Sequence, residues 1–217
     1  MKLTVPRLSE YVGPALDFPR EPIRVFNVWT PARAAMIRAE LDAVQSEAEA
    51  LVFQTNGNAG YENPGVRSCT VLNPGAELRA SVTSDLLSVF RPFVQAELKM
   101  QRASLHGEIQ FIRYRKRDSG RADHFVFHAD AAIFVNGRWL VNTPERHLTF
   151  SAYVNDDFSG GDFVFKNVVH DGGVPVTVQP RPGLALLFPS DPRYEHAVTP
   201  MRKGTRYAMV GWLTMEA

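Results

Sequence analysis

The chain has 217 residues, enough for one domain with a sizeable core. Its 24 Lys+Arg against 23 Asp+Glu leave a net charge of +1, so no global field gathers nucleic acid or coats a membrane, and 45% hydrophobic with 22% charged residues is a soluble globular balance. One cysteine, Cys69, excludes an intrachain disulfide and any multi-cysteine metal site, and no window reads as a signal peptide or a membrane span, so a cytoplasmic protein is expected, as monomer or homodimer.

In chain order, the first legible element is a helix. Thr30 is placed as its N-cap and Pro31 as its first residue, and Ile37, Leu41, Val44, Ala48 and Leu51 recur as one buried stripe. The stretch "QTNGNAGYENPG", 54 to 65, reads as a loop and candidate lid, with Tyr61 and Asn63 as its contacts to a substrate. "VRSCTVL", 66 to 72, is a short strand, and "NPG" turns the chain. A second helix is expected from Ser84, with Leu86, Phe90, Phe93, Val94 and Leu98 apolar and Pro92 breaking or kinking it. Residues 1–104 thus read mostly as helical support and loops.

From residue 105 the texture changes to strands and turns. "GEIQFIRYRK" places Ile109 and Phe111 on one face and Ile112 and Tyr114 on the other. "RDSGRAD" is a loop, considered with 117–124 as a second lid. "HFVFHADAAIFVN" is a strand region closed by the Asn136-Gly137 turn, with "RWLVN" returning across it. "HLTFSAYVN", "DFVFKNVV", "VPVTVQP", "GLALLFPS", "HAVTPM" and "TRYAMVGWLTM" complete the set. Many short strands with turn punctuation give a mainly β fold, a double-sheet jelly roll or cupin-like barrel, with the N-terminal helices packed outside it. A single domain, 1–217, is expected, its β core in 105–217.

Chemistry concentrates in "HFVFHAD". In a strand, residues i and i+2 face the same way about 7 Å apart, so His128 and Asp130 can share a metal ion. The third ligand must come from elsewhere: His106, His124, His147, His170 or His196. His170 sits in a Gly-rich turn, His147 follows a turn, His124 adjoins a loop, and His196 opens the penultimate strand. Two histidines and a carboxylate make the facial triad of non-haem Fe(II) oxygenases. A dicarboxylate cosubstrate would also need a cation, which Arg206 supplies if its strand lies beside that of His196, and Tyr114 could add a phenolic hydrogen bond. Taken singly, each of these residues has an ordinary reading as a packed or surface side chain; their order and spacing argue for the joint one.

These residues and their setting resemble the Fe(II)- and 2-oxoglutarate-dependent dioxygenases, in particular the prolyl 4-hydroxylase-like branch, from about Val66 onward. "IQFIRYRKRD" resembles the strand whose tyrosine binds 2-oxoglutarate, "HAD" the first two iron ligands, and "LTFSAYVNDDFSGGDFVF" the segment with an Asn and a double glycine between core strands. "PGLALLFPS…EHAVTPMRKGTRYAMVGWL" resembles the end of the domain. The resemblance implies a double-stranded β-helix and oxidative decarboxylation of 2-oxoglutarate with O2, coupled to hydroxylation of an unactivated C–H bond. It implies that His128, Asp130 and His196 carry iron, that Arg206 and Tyr114 hold 2-oxoglutarate, and that Thr205 or Trp212 lines the pocket. Arginine rather than lysine at 206, and the loop before "HAD", depart from the collagen-type enzymes of the branch.

The compact chain suggests a small-molecule substrate: a free amino or imino acid or a natural-product intermediate. Arg67, Arg121 and Asn155 are candidate substrate contacts. The alternatives are a prolyl or other protein side-chain hydroxylase, which a long groove beside the iron would favour, a metal-only cupin enzyme, and a noncatalytic cupin-like binding protein. Nucleic acid is not expected as a partner, because no basic stripe carries interleaved aromatics.

Overall fold

The computed structural model describes residues 3–4, 23–52 and 60–216. In chain order its elements are β1 (Leu3–Thr4), β2 (Arg24–Asn27), α1 (Pro31–Asp42), β3 (Glu47–Glu49), β4 (Leu51–Val52), β5 (Tyr61–Glu62), β6 (Arg67–Ser68), β7 (Thr70–Leu72) and α2 (Ala76–Leu98). There follow β8 (Arg102–Arg115), β9 (His124–His128), β10 (Ala132–Val135), β11 (Arg138–Val141), β12 (Leu148–Tyr153), β13 (Phe163–His170), β14 (Pro175–Val178) and β15 (Leu184–Pro189). A 3-10 turn (Pro192–Tyr194), β16 (His196–Val198) and β17 (Thr205–Glu216) end the described chain.

The strands form two antiparallel sheets. The larger runs β2-β15-β12-β17-β8-β7-β3, and the smaller runs β1-β13-β16-β9-β6 with β14 paired to β13. Hairpins β4-β5 and β10-β11 stand apart from both. Alternation along the central strands sorts the core into two layers. Phe150, Met209 and Leu213 face the helices, joining Ile37, Leu41, Leu86 and Phe90, whereas Tyr153, Ala208 and Phe188 face the smaller sheet, joining Phe163 and Phe165. The large sheet is covered on both faces, which is why β12 and β15 are buried throughout. The result is a double-stranded β-helix with helices packed on its outer face, as the strand pattern led us to expect.

Several boundaries differ from the sequence reading. Helix α1 ends at Asp42, capped at its start by the Thr30 hydroxyl as expected; Ala48 and Leu51 lie in strands instead. Pairing overrides the apparent 3.6-residue stripe, because Glu47, Ala48 and Glu49 register against Leu72, Val71 and Thr70 of β7. Helix α2 starts at Ala76 and runs unbroken through Pro92. Leu78, Val82, Leu86, Phe90 and Val94 recur at steps of four and are all buried, so packing holds the helix together while Pro92 sits on the exposed side. Residues 1–104 are not only helices and loops: β2, β3 and β7 belong to the large sheet and β6 to the small one. The expected strand 66–72 is divided at Cys69, where the chain passes from one sheet to the other. The stretch after His124 divides as well, with β9 ending at His128 and β10 beginning at Ala132. Finally, β16 and β17 are not neighbours. They lie in opposite sheets, so His196 and Arg206 approach the interior from facing walls.

Candidate active site

The mouth of the roll encloses a cavity of about 550 Å³ that holds His128, Asp130, His196, Tyr114, Arg206 and Trp212 in its lining. Strand pairing creates the first part of the site. His196 registers directly against His128 across β16 and β9, and their ring centroids are 4.3 Å apart. Asp130 lies just beyond the end of β9, so a bend rather than strand alternation turns its carboxylate back between the imidazoles. Its Oδ1 is 3.8 Å from His128 Nε2 and its Oδ2 is 3.5 Å from His196 Nε2. One ligand atom from each of the three residues falls within 4.8 Å of the others.

The surroundings fix these groups in ligand form. His128 Nδ1–H donates to the Val126 carbonyl at 2.8 Å and His196 Nδ1–H donates to the Tyr194 carbonyl at 2.9 Å. A carbonyl only accepts, so in the neutral ring the proton sits on Nδ1 and the Nε2 lone pair faces Asp130. Phe125 stacks on His128 and Phe163 on His196. Burial, helped by the neighbouring His196, lowers the His128 pKa to about 3, which keeps that ring neutral. Burial pushes Asp130 up, but the two histidines and the Thr149 hydroxyl outweigh it and hold the carboxyl below its usual range. Thr149 Oγ1 donates to Asp130 Oδ2 at 2.7 Å, and Arg146 donates to the Asp130 carbonyl at 3.1 Å. Two imidazoles and one oriented carboxylate suit a divalent first-row metal such as Fe(II).

Arg206 enters from β17 and is 1% exposed. It registers against Tyr114 of β8, and its guanidinium lies 4.9 Å from the Tyr114 ring and 5.0 Å from the Tyr153 ring. Its Nε and Nη1 are buried without a hydrogen-bond partner. A buried cation with unsatisfied donors calls for an anion, and a carboxylate of 2-oxoglutarate fits that need. Burial pushes the Tyr114 phenol well up, so it remains a neutral donor. Gly161 makes room for this arrangement. With φ of 66°, it leaves no space for a Cβ, which would meet Met201 Sδ at 2.5 Å and Arg206 Cδ at 3.0 Å. The double glycine at 160–161 thereby helps seat Arg206.

Not every expected contact reaches the cavity. Arg67 and Trp212 line it, whereas Thr205, Arg121, Tyr61, Asn63 and Asn155 do not. Arg121 turns to Glu49, 3.5 Å away, beside the Arg117–Glu49 pair that pins the loop before β9. Asn155 donates to the Thr205 carbonyl and accepts from the Tyr207 amide, bracing the start of β17. Tyr61 lies exposed in β5, and Asn63 closes a turn onto the Gly65 amide. Of the candidate lid, 54–59 lies outside the described residues. The sequence reading missed Thr149 and Ser151, although "LTFSAY" carries the signal: polar residues alternate with apolar ones in a strand buried on both faces. It also missed Arg146 and Gln110, for which spacing offered no cue. A second cavity of about 580 Å³ shares Gln110, Arg146 and Trp212 with the first.

Comparison with known proteins finds similar oxygenases and hydroxylases. The family model described as the 2OG-Fe(II) oxygenase superfamily matches residues 109–214. Human prolyl 3-hydroxylase 2 is 34% identical over 94 residues, 41% of this chain but only 13% of that protein. A PKHD-type hydroxylase of Synechococcus sp. is 25% identical over 71% of this chain and 63% of its own length, so the chain spans less than two thirds of both relatives. A PKHD-type hydroxylase of Bordetella pertussis is 27% identical over 88% of this chain and 77% of its own. Among solved structures, a prolyl hydroxylase of Trichoplax adhaerens superposes with a TM-score of 0.66 at 17% identity, covering 89% of this chain and 83% of its own. A prolyl-4-hydroxylase of Pseudomonas putida gives 0.58 at 16% identity, covering 90% and 94%.

Proposed function

We propose that this chain is a member of the 2OG-Fe(II) oxygenase superfamily, whose model matches residues 109–214, and that it hydroxylates a prolyl residue presented on a peptide. The observation that carries the reading is the convergence, in one cavity, of the His128–Asp130–His196 group with the buried guanidinium of Arg206, whose Nε and Nη1 have no partner. In this reading His128, Asp130 and His196 hold Fe(II). Arg206 pairs with the far carboxylate of 2-oxoglutarate, and the Tyr114 hydroxyl donates to the same group. Bound together, the ferrous ion and 2-oxoglutarate supply the activation of O2, releasing succinate and CO2.

The protein's own residues do the positioning. Thr149 orients the Asp130 carboxylate, the Val126 and Tyr194 carbonyls fix the imidazole tautomers, and Phe125 and Phe163 hold the rings. The apolar sides of the cavity, including Val198, Val210 and Ile112, limit the water that reaches the reacting atoms. The second cavity adjoins the first through Gln110, Arg146 and Trp212, a space that suits chain beyond a target residue. This adjoining space, with the prolyl hydroxylases among the relatives, favours a peptide over the small molecule that compactness alone suggested.

The test is incubation with Fe(II), 2-oxoglutarate and capped prolyl peptides, reading succinate together with a product that has gained one oxygen atom. Equal amounts of succinate and hydroxylated peptide are expected. Hydroxylation of free L-proline but of no peptide would overturn the peptide assignment. Absence of succinate with every substrate would instead fit a metal-only or noncatalytic protein.

A further inference from the structure

The cavity holds more positive charge than the proposed cofactors use. On the reading above, two charges on Fe(II) and one on Arg206 are balanced by Asp130 and the two carboxylates of 2-oxoglutarate. Arg67 and Arg146 also line the cavity and stand outside that balance. Both meet only neutral acceptors: Arg67 donates to Gln110 Oε1 at 2.9 Å and to the Leu51 carbonyl at 3.3 Å, and Arg146 donates to the Asp130 carbonyl. The Nε of each is buried without a partner. By contrast, Arg117 and Arg121, on the loop outside the cavity, both reach Glu49. The carboxylate that both feel is Asp130, with Glu145 adding to it for Arg146; with Asp130 committed to the metal, a ligand that brings an anion would offset much of the cost of burying the two guanidinium groups.

Both groups also rest against aromatic rings. Arg146 Cζ lies 3.6 Å from the centroid of the Trp212 ring and Arg67 Cζ lies 4.9 Å from that of Phe125, which in turn stacks on His128. A guanidinium anchored on an aromatic face presents its remaining N–H groups with little entropy left to lose, the arrangement that suits a planar carboxylate. Arg146 lines both cavities, and its bond to the Asp130 carbonyl sets it beside the metal-binding group.

We infer that Arg146 and Arg67 form a carboxylate-binding subsite on the substrate side of the cavity, so that the substrate presents an anionic group close to the carbon that is hydroxylated. The inference rests on the hydroxylase reading and narrows its substrate class. The carboxylate has two sources: an acidic side chain flanking the target residue of a peptide, or the free C-terminal carboxylate of the target residue itself.

Matched probes separate them. Capped pentapeptides with a central proline carry Asp or Glu beside it in one series and Asn or Gln in the other, and Ala-Ala-Pro with a free C-terminus is set against its amide. Equilibrium binding is measured by calorimetry on the Fe(II)-loaded protein under anaerobic conditions with 2-oxoglutarate, and turnover by product and succinate. In the wild type, at least one carboxylate probe should bind about 10-fold or more tighter than its amide twin. Arg146→Gln and Arg67→Gln should each pull that ratio toward one, and Arg146→Lys, which keeps the charge, should retain part of it. A wild type with no carboxylate preference, no binding of any probe, or a preference that survives in both glutamine variants overturns the subsite. Succinate formation without a preference sinks the subsite alone, whereas a preference without succinate keeps the subsite and sinks the hydroxylase reading.

Discussion

At the scale of single residues, the site depends on groups that aim other groups. Asp130 has no strand to orient it, so its direction is set by the Thr149 hydroxyl on the opposite sheet, itself 2.8 Å from Ser190 Oγ. Thr149→Val keeps the shape and removes the hydrogen bond. Outer partners of metal ligands are worth roughly 10–100-fold in affinity, so anaerobic Fe(II) titration of this variant should show weakening in that range with the fold intact. The "HAD" triplet was legible because it is local. Thr149 reaches it only through the packing of one sheet on the other, and Asp130 acts from a bend that i, i+2 spacing does not describe. Arg146 was invisible for the same reason: its neighbours Asp130 and Trp212 are close in space and far apart in the chain.

At the scale of elements, two positions test how the fold carries the site. The Gly160–Gly161 turn clears space for the Arg206 stem. Gly161→Ala must displace Met201 or Arg206 and strain a backbone at positive φ. It should cost about 1–3 kcal/mol in denaturant melts and raise the KM for 2-oxoglutarate relative to the wild type. Helix α2 makes the opposite case. Pro92 interrupts the hydrogen-bond ladder on an exposed face of a helix whose buried stripe continues past it. Pro92→Ala restores that bond and should stabilise the protein by about 1–3 kcal/mol, read as a higher denaturant midpoint. Sequence periodicity gave α2's buried face well but overweighted the proline, because propensity is local and the stripe's burial against the large sheet is not. The converse error extended α1 over Ala48, where pairing with β7 decided the outcome.

At the scale of the whole molecule, alternation along the strands revealed a two-sided β body, and the His128–Asp130 pair was legible as a spacing, whereas His196, Arg206 and Tyr114 were joined to it through the family resemblance. Which strands face one another was not legible, since it depends on the roll: His196 and Arg206 approach from opposite sheets rather than from adjacent strands. One consequence is a site made of burial from both sides, with a signature in pH. His128 binds its proton at about 3 when folded, against an ordinary 6.5 unfolded. Between those values the unfolded chain holds more protons, so metal-free stability should fall as pH drops through that window, and Asp130, depressed when folded, acts in the same direction. Chemical melts of the chelated protein across pH 7 to 4 check this sign; stability that rises on acidification would contradict it. Among the described residues no helix is long and apolar enough to cross a membrane. The central claim is that His128, Asp130 and His196 close on a single ferrous ion in reach of a cosubstrate held by Arg206. Its most direct test is anaerobic visible spectroscopy of the Fe(II)-loaded protein on addition of 2-oxoglutarate. The wild type should develop a metal-to-cosubstrate charge-transfer band that saturates at one ion per chain, and His196→Ala should lose it. No band in the wild type, or an unchanged band in His196→Ala, would contradict the account.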